Sequence, residues 1–353
     1  MPTLWLFDIE PHEQRYTSEW QNYLPKQIKA EMYVRSTNRW SLMVITSKGA
    51  TGKLTPGAFF DFAETNAYKA NQVCDFVAQI KTGKVKPGDR LLFTDAWHPG
   101  VIQCRYMSDL LGLELSIHVM WHAGSYDRND FLGRRVKNKG WSYNFERSVF
   151  EAADLNYFAT NYHWELFRRK LRITKIKKHR LVGWPMEYLP RLLTPYREVP
   201  KKDIIFFPHR IAPEKRPNIL RGLQSRFPLF RLVFAQNQLL TKKQYHDQLG
   251  EAKCVFSASA QETLGIGTYE GLLCGAIPIV PDRLSYPEMY GSNWCYPSNW
   301  TKKSQQIGVQ KRLLAEFIRK QIANRKPEQL VDKADKVGKQ FFDGGALYAH
   351  LLR

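Results

Sequence analysis

The chain has 353 residues, of which 43% are hydrophobic, and it carries a formal net charge of +20 at pH 7. This length suffices for two globular domains, and no apolar run approaches the about 20 residues of a membrane span. The five cysteines are odd in number and lie in apolar surroundings, which favours small buried side chains over disulfides or a metal site.

The positive charge is concentrated in two segments. Residues 131–180 contain 13 Lys and Arg against 4 Asp and Glu, and residues 301–353 contain 12 against 5. Such concentration predicts a polyanionic partner, either nucleic acid or an anionic membrane face. A solubilising surface is the alternative. The N-terminus lacks the features of a signal peptide, so we expect a cytoplasmic protein.

The first half of the chain alternates strand and helix patterns. Buried strands are predicted at 4–8, 41–46, 90–95, 115–121 and 154–160, and helices at 59–80 and 144–153. This alternation indicates βαβ units and therefore an α/β protein with a doubly wound parallel sheet. Ligands of such sheets bind beyond the carboxyl ends of the strands. Polar residues that follow the predicted strands are therefore candidates for ligand contact, although each alone is as readily structural: Glu10, Arg15, Asp95, His98 and His122.

The segment 161–180 interleaves aromatic and basic residues. Arg168 and Arg169 suit the backbone of a nucleic acid, and Tyr162 or Trp164 suits a stacking platform or a wedge. A solvated helix face is the competing interpretation. Four prolines between residues 183 and 203 predict an irregular linker. We therefore expect an N-terminal acceptor domain over 1–185 and a C-terminal donor domain over 186–353, whose final helix, 347–352, is a candidate to pack back on the first domain.

The stretch 261–282, QETLGIGTYEGLLCGAIPIVPD, is predicted to form a loop, a short helix and a buried strand. Gly265 and Gly267 allow close approach of a ligand to the backbone, and the helix that they open can attract a phosphate. Glu262 precedes this helix and Glu270 lies inside it, so both carboxylates can reach one ligand. Upstream cations at the same sheet edge can neutralise a diphosphate: Arg210, Lys215 and, as a third, Arg216.

These residues resemble a known motif. Glu262 and Glu270 match the E-x7-E pattern, with its upstream Arg/Lys pair, of retaining glycosyltransferases of the GT-B fold in the glycogen-synthase-like group. The segments FPHRIAPEKRP and CGAIPIVPDRLSYPE also resemble tRNA-queuosine mannosyltransferases. Charge and architecture are similar to phage-type glycosyltransferases that modify DNA. The resemblance is good over 203–290 and only architectural over 1–130, where DIEPHEQRYTSE replaces the family's glycine-rich first loop.

The resemblance implies two Rossmann-like domains that face each other across a cleft. It implies that Glu262 contacts the donor sugar, that Glu270 contacts the ribose hydroxyls, and that Arg210 and Lys215 hold the diphosphate. His122 matches a first-domain histidine that approaches the donor sugar, which completes the implied catalytic set. The implied donor-binding residues around the helix start are Leu264, Gly265, Ile266, Gly267 and Thr268.

The sequence thus predicts a retaining glycosyltransferase with a nucleotide sugar, a UDP-sugar above all, as co-substrate. No metal is expected, because GT-B enzymes commonly need none and the chain has no Asp-x-Asp pair. The favoured acceptor is a hydroxyl of nucleic acid across the cleft, foremost 5-hydroxymethylcytosine or 5-hydroxymethyluracil in bacteriophage-type DNA, in which case the protein acts in the host cytoplasm. The alternatives are queuosine tRNA, a glycan or lipid acceptor, and an inactive scaffold that binds polyanions. A dinucleotide fingerprint is disfavoured, because GIGTYEG is not G-x-G-x-x-G.

Overall fold

The computed structural model describes residues 1–12, 15–35, 40–47, 61–238, 240–302 and 308–353. The chain divides into two compact units. Unit 1 comprises Met1–Met186 together with Gly344–Arg353, and unit 2 comprises Glu187–Asp343. Phe59 and Phe60, where the sequence predicts the start of a helix, lie outside the described residues.

Unit 1 is built on a parallel sheet of six strands in the order β2-β1-β3-β4-β5-β6. The strands are β1 (Thr3–Phe7), β2 (Ser41–Ile45), β3 (Arg90–Phe93), β4 (Ser116–Met120), β5 (Leu155–Phe158) and β6 (His179–Leu181). The helices between them are α1 (Tyr16–Val34), α2 (Phe62–Lys81), α3 (Gly100–Leu111), α4 (Phe131–Arg135), α5 (Lys139–Ala152) and α6 (Asn161–Leu171). The predicted α/β class of this half is therefore confirmed, and its central strands are buried as a sheet covered on both faces requires.

Unit 2 begins with a helix where the sequence predicts an irregular linker. Helix α7 (Tyr188–Leu193) contains Pro190, and a 3-10 turn over Thr194–Glu198 follows it directly. Pro190 lies in the first turn of α7, where the backbone N–H that proline lacks has no acceptor inside the helix in any case. The expectation that four prolines exclude regular structure was therefore wrong.

The sheet of unit 2 is also parallel, with the order β11-β10-β9-β7-β8. Its strands are β7 (Lys202–Phe207), β8 (Arg231–Phe234), β9 (Ala252–Phe256), β10 (Ile277–Pro281) and β11 (Cys295–Tyr296). The remaining helices of the unit are α8 (Pro217–Arg221), α9 (Lys242–Glu251), α10 (Ile266–Leu273), α11 (Tyr286–Tyr290), α12 (Gly308–Ala323) and α13 (Pro327–Phe341). The order of strands places β7 beside β9, so the loops that follow these two strands leave the same edge of the sheet.

Helix α10 packs unusually close to the sheet. A Cβ added at Gly271 would lie 2.3 Å from Cγ1 of Val255 on β9, so only glycine fits there. On its other side, Tyr269 stacks on Phe342 with ring centroids 3.9 Å apart. The helix, and with it the loop that opens it, is therefore held in a fixed position.

The last helix, α14 (Gly345–Leu351), belongs to unit 1. Arg90 at the start of β3 donates from Nη1 to the carbonyl oxygen of Leu351 at 2.6 Å, which ties the C-terminus to the sheet. None of the helices in the described ranges combines the length and the hydrophobicity of a membrane span. Four of the five cysteines are buried thiols, whereas Cys74 is exposed.

Candidate functional site

The loops after β7 and β9 are joined by a buried ion pair. Lys215 ends the 3-10 turn over Pro213–Lys215, and its Nζ lies 3.0 Å from Oε2 of Glu262. The same ammonium group donates to the carbonyl oxygen of Gln261 at 2.6 Å. Only 9% of the Lys215 side chain and 17% of the Glu262 side chain are exposed. The two opposite charges therefore meet in a largely dry environment at the carboxyl edge of the sheet.

Glu262 is ionised at neutral pH. Burial opposes its ionisation, but the charge of Lys215, together with hydrogen bonds from Lys215 and from the backbone of Gly265, lowers its pKa below the ordinary value. A further hydrogen bond, from the backbone N–H of Thr263, reaches Oε1 at 3.2 Å. The carboxylate is thus held in a defined orientation.

His209 is a member of this group that the sequence reasoning missed. It lies two residues beyond β7 and is buried, and burial together with the nearby Lys215 lowers its pKa to about 3, so the ring is neutral. Among the described residues, Nε2 of His209 has no hydrogen-bond partner. The signal was its position, because it stands between the end of a strand and Arg210.

The two arginines of this segment have different surroundings. Arg210 forms an ion pair through Nη2 with the buried carboxylate of Glu214. Arg216 has a left-handed backbone, with φ of +53°, and its guanidinium donates to the carbonyl oxygen of Thr301. Arg210 therefore stays in the turn that also carries Lys215, whereas Arg216 is directed to the 3-10 turn at Ser298–Thr301 and is not the third cation that the sequence suggested.

The start of α10 follows directly on Glu262. Gly265 caps the helix with φ of +79°, a conformation that favours glycine. A Cβ at Gly267 would lie 2.9 Å from Cβ of Pro208, the residue after β7. Leu264 and Thr268 are buried on either side, and Ile266 is half-buried. The first N–H groups of the helix have no acceptor within it, so this end can receive an anion.

Glu270 has a separate set of partners. Its Oε2 accepts a hydrogen bond from the hydroxyl of Tyr245 at 2.7 Å, and its Oε1 lies 3.7 Å from Nζ of Lys242. Both partners belong to α9. The two glutamates of the E-x7-E pattern are thus fixed by different elements, Glu262 by the turn after β7 and Glu270 by α9.

In unit 1, His122 follows β4 in an aromatic cluster. Its Nε2 donates to the carbonyl oxygen of Thr94 at 2.6 Å, and its Nδ1 accepts from the hydroxyl of Tyr16 at 3.0 Å. The ring centroid lies 4.2 Å from that of Trp184. Burial lowers the pKa of His122. The imidazole is therefore neutral, with its tautomer fixed by the carbonyl group.

The other residues predicted at this edge are engaged within unit 1. Asp95 accepts from Nζ of Lys69 at 2.6 Å. His98 is buried, with Nδ1 accepting from the backbone N–H of Gly100 and Nε2 lying 3.1 Å from the amide oxygen of Gln72. The remaining two are Glu10, a buried acceptor for Oγ1 of Thr65, and Arg15, the residue before α1. Their roles toward an acceptor stay predictions.

The packing of helix α6 shows that the predicted stacking role of Trp164 was wrong. Trp164 is only 3% exposed, and its ring stacks on His179 with centroids 3.8 Å apart, so it belongs to the core of unit 1 and offers no face to a base. Tyr162 is half-buried. Arg168 forms an ion pair with Glu165 at 2.8 Å, and Arg169 is exposed and donates to the carbonyl oxygen of Glu165 at 3.1 Å. The basic character of the segment remains and Trp164 is excluded as a stacking platform, whereas the role of Tyr162 stays a prediction.

The comparisons with solved structures identify the fold as GT-B. Sucrose-phosphate synthase from Thermosynechococcus elongatus is similar over 99% of this chain and 97% of its own, with 13% sequence identity and a TM-score of 0.63. Anabaena HepE, in complex with UDP and glucose, is similar over 99% and 98%, with 11% identity and a TM-score of 0.59. The catalytic domain of starch synthase IV from Arabidopsis thaliana, bound to ADP and acarbose, is similar over 99% and 97%, with 9% identity and a TM-score of 0.58.

No protein-family model matches the sequence, and no curated protein is significantly similar to it. The likeness to solved structures therefore establishes the fold, which confirms the prediction of a GT-B architecture, while the chemistry must be argued from the site. The part of the chain that the structure describes holds no group of three or more His, Cys, Asp or Glu side chains that could bind a metal ion.

Proposed function

We propose that this protein is a retaining glycosyltransferase that moves a sugar from a nucleoside-diphosphate sugar to a hydroxyl group of a nucleic acid. The observation that carries the proposal is the buried Lys215–Glu262 ion pair beside the glycine-capped start of α10. It supports a site that offers cations and N–H groups to a diphosphate and a carboxylate to a sugar hydroxyl. HepE and starch synthase IV, whose structures are similar, were solved with UDP and with ADP.

Lys215 has capacity left for a phosphate oxygen. An ammonium group has three N–H donors, and two of them serve the carbonyl oxygen of Gln261 and the carboxylate of Glu262. The third donor makes only a long hydrogen bond of 3.4 Å to Oε1 of Gln261. Arg210 adds a second cation on the same turn. Together they stabilise the negative charge that develops on the departing diphosphate.

The reaction needs no protein nucleophile. The bond between the anomeric carbon and the diphosphate oxygen breaks, the acceptor hydroxyl attacks from the same face, and its proton passes to the departing phosphate oxygen. Glu262 accepts hydrogen bonds from the sugar hydroxyls, and Glu270 from those of the ribose. In unit 1, His122, neutral and oriented by Thr94, is the residue that we propose for catalysis. Atoms and charge balance without a metal or another co-reactant.

The acceptor assignment is supported by charge. A net charge of +20, concentrated partly in residues 131–180, favours a polyanion over a neutral glycan. Among nucleic acids we put DNA with 5-hydroxymethyl-pyrimidines first and queuosine tRNA second. A lipid or glycan acceptor and an idle polyanion-binding scaffold are the competing proposals. We place the reaction in the cytoplasm, where both substrates occur.

The proposal is tested by mass spectrometry of nucleosides. The protein is incubated with UDP-, ADP- and GDP-sugars and with hydroxymethylated DNA, unmodified DNA or tRNA, and the nucleic acid is then digested. We expect one nucleoside to gain the mass of a sugar with wild-type protein but not with Glu262→Gln. Nuclear magnetic resonance of the product is expected to show the anomeric configuration of the donor. Release of nucleoside diphosphate without any modified nucleoside contradicts the nucleic-acid acceptor.

A further inference from the structure

The only tryptophan in residues 128–145 is exposed on unit 1. Trp141 lies in the first turn of α5, and 52% of it is exposed to solvent. The helix start is fixed by Asn138, whose Oδ1 accepts from the backbone N–H of Gly140 at 2.9 Å. A single exposed aromatic side chain is ordinary on a protein surface, so Trp141 indicates a ligand only together with the residues that surround it in the chain and the ring that supports it.

Trp97 supports Trp141 from behind. The two rings meet edge to face, with centroids 6.3 Å apart and planes at 80°. Trp97 is itself held at both ends, because its backbone N–H donates to Oδ1 of Asp95 at 3.0 Å and its Nε1 donates to Oε1 of the buried Glu146 at 2.9 Å. Since Trp97 follows β3, the pair lies at the carboxyl edge of the sheet. Trp141 thus rests on a rigid base at the edge where ligands of such sheets bind.

Within residues 128–141, the segment that ends at Trp141, the exposed charged side chains are all positive. Nζ of Lys139 donates to the carbonyl oxygen of Gly133 at 2.5 Å, which brings the end of α4 to the start of α5. Asp127 and Asp130, the acidic residues of the segment, are buried and accept from the backbone N–H groups of Asn129 and Leu132. The exposed cations are Arg128, Arg134, Arg135 and Lys137.

The exposed tryptophan and the exposed cations together favour one class of partner. A neutral glycan can stack on tryptophan but gains nothing from a cationic rim, and a membrane surface needs more apolar side chains than one. A single-stranded nucleic acid uses both features, because its phosphates bind the cations and an unpaired base stacks on the ring. We infer that Trp141, on its Trp97 base, is the stacking platform for an unpaired base of a nucleic-acid acceptor. This inference rests on the proposed function for the identity of the acceptor.

The test compares a 12-nucleotide single-stranded DNA with an abasic strand of equal length and charge, by fluorescence anisotropy at one salt concentration. We expect Trp141→Ala to weaken binding of the normal strand about tenfold and to leave the abasic strand unchanged. Trp141→Phe is expected to retain most of the affinity. The matched control is Tyr106→Ala, which removes another exposed aromatic residue, on α3 of the same unit, and is expected to change neither affinity.

Two outcomes overturn the inference. One is an equal effect of Trp141→Ala on both strands, including no effect on either. The other is that an acidic oligosaccharide such as heparin binds more tightly than the single-stranded DNA and that this binding depends on Trp141. That result assigns the surface to a glycan. Binding of nucleoside diphosphates, measured on the same samples, separates this failure from failure of the proposed function. A variant with normal nucleotide binding and no base-dependent DNA effect refutes only the platform, whereas base-dependent binding without sugar transfer refutes only the transferase.

Discussion

Lys215 and Glu262, 47 residues apart in the chain, form an ion pair of 3.0 Å that joins the loops after β7 and β9. Its loss is expected to destabilise unit 2. In Lys215→Met the carboxylate of Glu262 stays buried without its nearest cation, at a cost of about 3 kcal/mol in the free energy of unfolding at pH 7.

The pH dependence follows from the lowered pKa of Glu262. A depressed pKa contributes stability above the unfolded value of 4.5, and that stability is lost as the pH falls through the folded pKa. The difference in the free energy of unfolding between wild type and Lys215→Met is therefore expected to narrow as the pH falls below about 4.5. Urea unfolding from pH 3 to pH 8 measures it, with Lys253→Met, which breaks a more exposed pair with Asp203, as the control. A constant difference across this range speaks against a buried ionised Glu262.

Glu270 is expected to determine the preference for ribose. If its carboxylate binds the ribose hydroxyls, wild-type protein binds a nucleoside diphosphate about tenfold more tightly than its 2′-deoxy analogue, since a hydrogen bond to a charged group is strong. Glu270→Gln is expected to lose this preference, whereas Tyr245→Phe, which keeps the carboxylate, retains it. Isothermal titration calorimetry with both ligands measures the effect. An unchanged preference in Glu270→Gln removes Glu270 from the ribose site.

Gly267 is expected to admit no side chain. In Gly267→Ala the new Cβ would lie 2.9 Å from Cβ of Pro208, so the start of α10 must shift away from β7. We expect nucleotide affinity to fall about tenfold, because the N–H groups of the helix start move. The control is Gly308→Ala at the start of α12, where nothing lies within 4 Å of the added Cβ. Equal nucleotide affinity in both variants shows that the close packing at Gly267 has no bearing on the ligand.

Asp8 is expected to destabilise unit 1 at neutral pH. Burial raises its pKa to about 6, although hydrogen bonds from Tyr68 and other side chains act to lower it. Among the described residues, Oδ2 of Asp8 has no hydrogen-bond partner. A raised pKa in an acid means that stability is lost as the pH rises from about 4 through 6. Asp8→Asn is thus expected to be more stable than wild type by about 1–3 kcal/mol at pH 7.5, with little difference at pH 4. Urea unfolding at both values is the measurement, and a variant less stable at pH 7.5 contradicts the expectation.

The fold could be predicted from the sequence because its strands are short apolar runs between amphipathic helices. The run at 4–8 predicted β1 at Thr3–Phe7, and the stretch after residue 261 predicted a short helix opened by glycines, where α10 begins at Ile266. The shared edge of Arg210, Lys215 and Glu262 followed from the order of strands and helices. What the order could not give was orientation, since Arg216 turns toward Thr301 through a left-handed backbone that no local pattern announces.

The aromatic residues show where a signal was available and was misjudged. Trp164, Phe167 and Leu171 recur at helical spacing on α6 and are buried together, which marks them as core residues. The basic residues between them occupy the opposite face. Trp141 is followed at helical spacing by Phe145 and Val149, which pack in the core of unit 1, yet 52% of Trp141 is exposed. Its exposure therefore depends on where α5 begins, which the periodic pattern does not define. Likewise, the pairing of Lys69 with Asp95 depends on how α2 packs beside β3, which spacing alone does not define.

The central claim is that unit 2 binds a nucleoside diphosphate through Lys215. The most direct test is equilibrium binding of UDP, ADP and GDP to wild-type protein, Lys215→Met and Lys253→Met, by isothermal titration calorimetry. We predict that at least one nucleotide binds the wild type, that Lys253→Met binds it equally well, and that Lys215→Met binds it at least tenfold more weakly. Failure of all three nucleotides to bind, or equal affinity in Lys215→Met, contradicts the account.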